Sequence, residues 1–237
     1  MLAASRGARQ VIVPSSATAD EVRRVLHVPG NRISVIPLAA RRLAVPPAGD
    51  TTLADIGLRA GRYVLALGTI EPRKNHVRLL AAFERIAATQ PDLRLVYVGD
   101  RGWRNGRFWR ALASSPVRER VIVSGRLSDA ALSALLGSCA MLAYPSVYEG
   151  FGLPILEGMA AGAPVVTSRT SSMIEVAGDA AVLVDPLDPD SIADGMLEAL
   201  RRRNELVAAG LARAAERTWL DVAQETLSAY DRALAAR

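Results

Sequence analysis

Six short, mostly apolar runs punctuate the chain from about residue 60 onward: Tyr63 to Leu67, Leu93 to Val98, Val121 to Val123, Met141 to Ala143, Val165 to Thr167 and Val182 to Val184. Helical patterns separate them, at His76 to Thr89, Gly106 to Ser114, Asp129 to Leu136 and Pro154 to Ala161, with a short turn at Met173 to Ala177. A strand with one wet face alternates apolar and polar residues, whereas an unbroken apolar strand is buried on both faces. The pattern therefore predicts βαβ units and an α/β fold, a Rossmann-like doubly wound parallel sheet. Ligands of such sheets bind beyond the carboxyl ends of the strands, so functional residues are expected just after the strands.

The flanks are different. Gln10 to Pro14, Thr18 to Leu26 and Ile33 to Pro37 read as strand, helix and strand, with Thr18 and Glu21 at capping-box spacing. The Pro-rich stretch Val45 to Asp50 reads as a linker. Helices are expected over Asp190 to Arg201, Glu205 to Arg217 and Leu220 to Ala235. The resulting divisions are 1–45, a linker over 46–59, the main domain over 60–218 and a terminal helix over 219–237.

A chain of 237 residues, half of them hydrophobic, can bury one large core but not two full domains of roughly 150 residues. Cys139 is the only cysteine, and His27 and His76 are the only histidines, so no intrachain disulfide, metal site or cofactor is expected. The compartment implied is reducing and cytoplasmic. A net charge of +5 arises from scattered arginines rather than a basic run, which argues against nucleic acid. Solvated helix faces, a phosphate-bearing ligand or peripheral association with an anionic membrane each account for it. The longest apolar stretch, Ala130 to Tyr144, is interrupted by Ser133, Gly137 and Ser138, so no membrane span is expected. The run after Arg6 and Arg9 is too short for a secretion signal.

Four post-strand segments carry candidate chemistry. Gly68 to Asn75 places Arg73 and Lys74 before a helix, where they would hold a phosphate or simply face solvent. Gly99-Asp100-Arg101-Gly102 is either a close-approach glycine with a further cation or a plain turn. Gly125, Arg126 and Leu127 precede Ser128, a candidate helix cap, so this loop faces a base or merely starts a helix. In the fourth segment, Glu149 is followed by Gly150, Phe151, Gly152 and Leu153, then Pro154 at an expected first helical position and Glu157 one turn further. Two carboxylates flanking an anion-binding helix start suggest a site, and a capping glutamate beside a solvated one is the plainer reading.

The segment Glu149 to Glu157 resembles the E-x7-E motif of the retaining glycosyltransferases of family 4, which have the GT-B fold. Supporting matches follow in order: Gly68 to Asn75, Val98-Gly99, Gly125, Pro145-Ser146, Ala161 to Val166, Glu175 to Ala180 and Val184-Asp185-Pro186. The Glu-Pro-Arg-Lys-Asn variant is similar to mannosyltransferase-like and rhamnosyltransferase-like members. By this resemblance the chain is the C-terminal, donor-binding half of a GT-B fold, with the N-terminal domain largely missing. Residues 1–45 would be the last piece of the acceptor-binding domain, and 219–237 the helix returning toward it.

The resemblance also implies roles. Glu149 would be the catalytic carboxylate beside the transferred hexose, and Glu157 would bind the ribose. Arg73 and Lys74 would neutralise the diphosphate, Gly150 to Leu153 would support sugar and phosphate, and Gly125 to Leu127 would face the base. The donor would be a nucleotide-diphosphate sugar, GDP-mannose ahead of UDP-sugars, and the acceptor a glycan or lipid-linked sugar at the cytoplasmic side of the membrane. Three positions depart from the pattern: Thr69 stands where many members have Arg, Gly158 where Ala is commoner, and Ile174 where Pro is common. A non-catalytic nucleotide-sugar binding subunit, working with a separate acceptor-binding chain, is the alternative. A GT-B epimerase or phosphorylase fits the glutamate spacing less well.

Overall fold

Amides inside a strand that is apolar on both faces have only neighbouring strands to bond to, so the six runs must form one sheet. A computed structural model, which describes residues 7–41 and 51–235, contains that sheet. Its strands are β3 (Tyr63–Leu67), β4 (Arg94–Val98), β5 (Val121–Gly125), β6 (Met141–Tyr144), β7 (Val165–Ser168) and β8 (Val182–Val184). All pairings are parallel, in the order β5-β4-β3-β6-β7-β8. After β5 the chain crosses back over two strands, so β3 and β6 are neighbours whose outgoing loops diverge. That is the switch point of a doubly wound sheet.

Side-chain alternation divides the core in two. Val64, Ala66, Leu95 and Tyr97 face α3 (His76–Ile86), α4 (Gly106–Ser114) and α8 (Pro189–Arg201). Tyr63, Leu65, Val96 and Leu142 face α5 (Asp129–Ser138) and α6 (Leu153–Ala160), with α7 (Met173–Ala177) beside them. The one polar atom Tyr63 carries into this layer is satisfied, its hydroxyl donating to Leu135 O at 2.6 Å. Helix α9 (Arg203–Ala215) packs along α6, where Gly210 lets it approach Met159.

Before the main sheet, β1 (Val11–Val13) and β2 (Ile33–Val35) pair in parallel around α1 (Ser16–Leu26) as a separate two-stranded sheet. The expected capping box is corrected here. Helix α1 starts at Ser16, and Ser15 is its cap, accepting from Thr18 N at 3.1 Å. Thr18 lies inside the helix, and the carboxylate on its first turn comes from Glu175, which accepts from Ser16 N and Ala17 N at 2.9 and 2.8 Å. The terminal helix α10 (Trp219–Ala235) returns to this part, burying Val222 and Ala229 against Ile36 and Ala39, and Arg232 donates to Ser34 Oγ at 3.0 Å.

The stretch read as a linker holds more structure than expected. Pro46 and Pro47 lie outside the described residues, but residues 51–59 form a helical turn, α2 (Thr52–Asp55), with Leu53, Ile56 and Leu58 against the α5 side of the core.

Gly195 on α8 tests how tightly the layers fit. A Cβ there would stand 2.3 Å from Val184 Cγ1, a stiff β-branched neighbour. Helix propensity alone would reward Gly195→Ala by about 1 kcal/mol, whereas overpacking costs about 1–3 kcal/mol. Gly195→Ala is therefore expected to lower the unfolding midpoint in a denaturant titration, and a rise would show that the layers yield.

Candidate active site

The cations come from the loop after β3. Gly68 turns the backbone at φ 118°, and a Cβ there would stand 3.0 Å from Lys74 Cε, so the glycine leaves room for the lysine stem. A tight turn at Pro72–Lys74 ends at Asn75, buried and left-handed at φ 63°. Asn75 Nδ2 donates to Pro145 O at 2.9 Å and Pro186 O at 2.6 Å. One side chain thereby ties together the loops after β3, β6 and β8, and Arg73 and Lys74 are aimed across the switch point.

Glu149, only 7% exposed, meets them there. Its Oε1 accepts from Lys74 Nζ at 2.7 Å and the Tyr144 hydroxyl at 2.9 Å, while Oε2 accepts from Arg73 Nη1 at 2.5 Å. Lys74 Nζ also donates to Tyr144 Oη at 2.5 Å and lies 4.6 Å from the ring centroid. Arg73 turns Nε and Nη2 to Glu71 Oε1 at 3.1 and 2.8 Å, so the two cations face two carboxylates. Burial by itself would raise the pKa of Glu149, but the hydrogen bond and charge of Lys74, with Tyr144, hold it below the usual range. Burial lowers the Lys74 pKa, partly offset by Glu149. Burial, then the Glu149 charge, pushes the Tyr144 phenol up, so it stays a neutral donor.

Hydroxyls fix the loop that carries Glu149. Ser171 Oγ and Ser172 Oγ lie 2.6 and 2.9 Å from Glu149 O, and Ser168 Oγ donates to Ser146 O at 2.6 Å. From the other side, Ser15 and Thr18 at the start of α1 donate to Gly150 O at 2.7 and 2.9 Å.

The remaining expected residues divide among several places. Gly152 caps α6 at φ 111°, so Leu153 is the first helical residue and Pro154 the second, one position later than expected. Phe151 is buried in the α6-side core. Glu157 is not joined to Glu149: its Oε1 accepts from Arg41 Nε at 3.0 Å, and Arg41 Nη1 reaches Asp129 Oδ2 at 2.9 Å. Asp129 opens α5, capped by Ser128 as expected, directly after the Gly125 to Leu127 loop. In that loop Gly125 has open space, Arg126 is exposed and Leu127 packs on the α5 side of the core. Gly99 serves backbone approach, since a Cβ would fall 2.2 Å from Gly68 O. Arg101 does not join Arg73 and Lys74, its guanidinium lying 4.6 Å from the Trp109 ring centroid. Sequence reasoning missed Tyr144, Glu71, Arg41 and the loop-holding serines. Two left a trace: Glu71 as the first residue of the Glu-Pro-Arg-Lys-Asn motif, and Tyr144 as the residue that closes an apolar strand just before the glutamate loop.

Residues 57–216 match the family model described as glycosyl transferases group 1. The chain belongs to this family. It is 34% identical over 230 residues to an O-antigen chain mannosyltransferase B of Escherichia coli, covering 94% of this chain and 60% of that protein. It is 32% identical to an MMP alpha-(1->4)-mannosyltransferase of Mycolicibacterium hassiacum, covering 97% and 56%. Among solved structures, sucrose-phosphate synthase from Thermosynechococcus elongatus superposes with a TM-score of 0.83 at 25% identity, over 100% of this chain and 61% of that one. The chain thus spans about three fifths of the length of these three relatives, and its sheet is that of GT-B glycosyltransferase structures. Among the described residues, no His, Cys, Asp and Glu side chains are grouped to hold a metal ion, and no helix is long and apolar enough to cross a membrane.

Beneath the cation loop, His76 is buried with Nε2 3.2 Å from Thr69 O, and burial lowers its pKa from 6.5 to about 4. Between those values the unfolded chain takes up a proton that the folded chain refuses, so stability falls as pH falls through the window. The loss is on the order of 3 kcal/mol. Urea unfolding at pH 6.5 and at about pH 4 should show this loss in the wild type and a smaller one in His76→Gln.

Proposed function

We propose that this chain binds a nucleoside-diphosphate sugar at the switch point and forms the donor half of a retaining, family 4-like hexosyltransferase. The observation that carries the reading is the buried Glu149 held between Arg73 and Lys74. Cleaving a sugar–phosphate bond builds negative charge on the leaving diphosphate and positive charge on the anomeric carbon. Cations and a carboxylate fixed within hydrogen-bond reach of one another suit the two ends of that bond. Arg73 and Lys74 supply the charge neutralisation for the diphosphate, Gly150 to Leu153 the amides at the start of α6, and Glu157 the ribose contact beside the Gly125 to Leu127 loop.

Glu149 itself pairs with both cations. The incoming diphosphate takes its place, and the freed carboxylate turns to the sugar. GDP-mannose is the first donor to test because the two relatives named above are mannosyltransferases, and a glycan or lipid-linked sugar on the cytoplasmic face of a membrane is the acceptor class. The same names do not favour a purely non-catalytic binding subunit.

Calorimetric titration with GDP, UDP and GDP-mannose tests the reading: at least one should bind, and a folded sample that binds none overturns it. Lys74→Ala should weaken the binding about tenfold, the scale of one charge-assisted hydrogen bond. Glu149→Gln should instead strengthen GDP binding, because it removes the internal anion that competes with the diphosphate. Weaker binding by the Glu149→Gln variant would refute the exchange.

A further inference from the structure

Trp103, in the loop between β4 and α4, leaves 56% of its surface exposed and has no part in the donor site described above. Its ring is nevertheless fixed. The indole Nε1 donates to Glu71 Oε2 at 2.9 Å. Glu71 also accepts from Arg73, whose remaining nitrogen reaches Glu149. The exposed ring therefore stands two side chains away from the carboxylate at the centre of the site.

The backbone beneath it is constrained as well. Ile70 and Arg101 form a parallel bridge beyond the ends of β3 and β4, and Gly102 N donates to Ile70 O at 3.2 Å. A Cβ at Gly102 would lie 2.4 Å from Thr69 Cγ2, so the loop comes this close only with glycine there. Asn105 Nδ2 fastens the far side, donating to Gly102 O at 2.6 Å. A surface aromatic with its N–H paired and its backbone pinned loses little freedom when a ligand covers it.

An indole face is apolar and carries a negative quadrupole, which suits the C–H face of a pyranose ring while the ring hydroxyls stay at the edge. The Arg104 guanidinium lies over one face of the indole, 5.4 Å from the ring centroid, so the opposite face is the one offered to a pyranose. The proposed ribose contact points the nucleoside elsewhere: Glu157 and Asp129, joined by Arg41, belong to α6 and α5, whereas Trp103 lies in the loop before α4 and bonds Glu71 in the loop before α3. A donor bound through Glu157 leaves the indole to the second substrate. We propose that Trp103 is a stacking platform for a sugar ring of the acceptor glycan, contributed by the donor-binding half. This rests on the reading of Glu149 and its cations as the donor site.

The chain has three tryptophans, Trp103, Trp109 and Trp219, so its indole N–H groups are resolvable by NMR after nitrogen-15 labelling, with Trp103→Phe assigning the signal in question. Titration with α-linked mannotriose should shift the Trp103 signal and leave that of Trp109 in place. Trp103→Ala should weaken mannotriose binding about three- to tenfold, the worth of one aromatic face, and Trp103→Phe should retain most of it. GDP affinity should be the same in the two variants, because both give up the same N–H bond to Glu71. A Trp103 signal unmoved by mannotriose, in a chain that binds GDP, overturns the platform alone. GDP affinity lost in Trp103→Ala but kept in Trp103→Phe assigns the ring to the base and also overturns it. A chain that binds neither ligand overturns the platform together with the donor site.

Discussion

Lys74 and Glu149, withdrawn from water with the more exposed Arg73 at their edge, attract each other more strongly than the same groups would at a surface. Removing one member of a fully buried pair costs about 3–5 kcal/mol, and the cost here is smaller, because Arg73 is 38% exposed and Glu149 keeps a partner when either cation is lost. Lys74 and Glu149 are 75 positions apart in the chain, and only the crossover that makes β3 and β6 neighbours brings them together. Their contact locks the outgoing loops of those strands to each other. Asn75, the hydroxyls behind Glu149 and the Tyr144 phenol all reinforce the same junction. Sheet topology and site electrostatics are thus one constraint, expressed once in backbone pairing and once in charge.

The strands were legible because each is apolar on both faces, a pattern that few other environments produce. Helix ends moved by only a few residues for the same reason: the periodic face is long and the caps are short. The reading failed where the deciding partner is distant in sequence. Thr18 and Glu21 have the spacing of a capping box, but the carboxylate at the first turn of α1 belongs to Glu175, more than 150 positions away. Leu53, Ile56 and Leu58 are too few to show a period, so a packed turn read as linker.

The site was legible to the same extent. Arg73, Lys74 and Glu149 stood out because they follow strands, and the structure brings the three side chains together. Tyr144 reads as one more core residue until its hydroxyl is seen between lysine and glutamate. Glu149 and Glu157 read as a pair from their spacing, yet the turn at Gly152 directs them to separate partners, one to Lys74 and Arg73 and the other to Arg41.

Helix α1 shares its first turn with the loop that presents Glu149: Ser15 and Thr18 hold Gly150 O, and Glu175 holds the amides of Ser16 and Ala17. Those bonds tie the pose of the small β1–β2 sheet and its helix to the pose of the glutamate loop. Thermodynamic reciprocity then applies between them. A ligand that steadies the loop tightens the seating of α1 by the same factor by which a seated α1 tightens the ligand. The amino-terminal segment and the glutamate loop are in this sense one coupled unit.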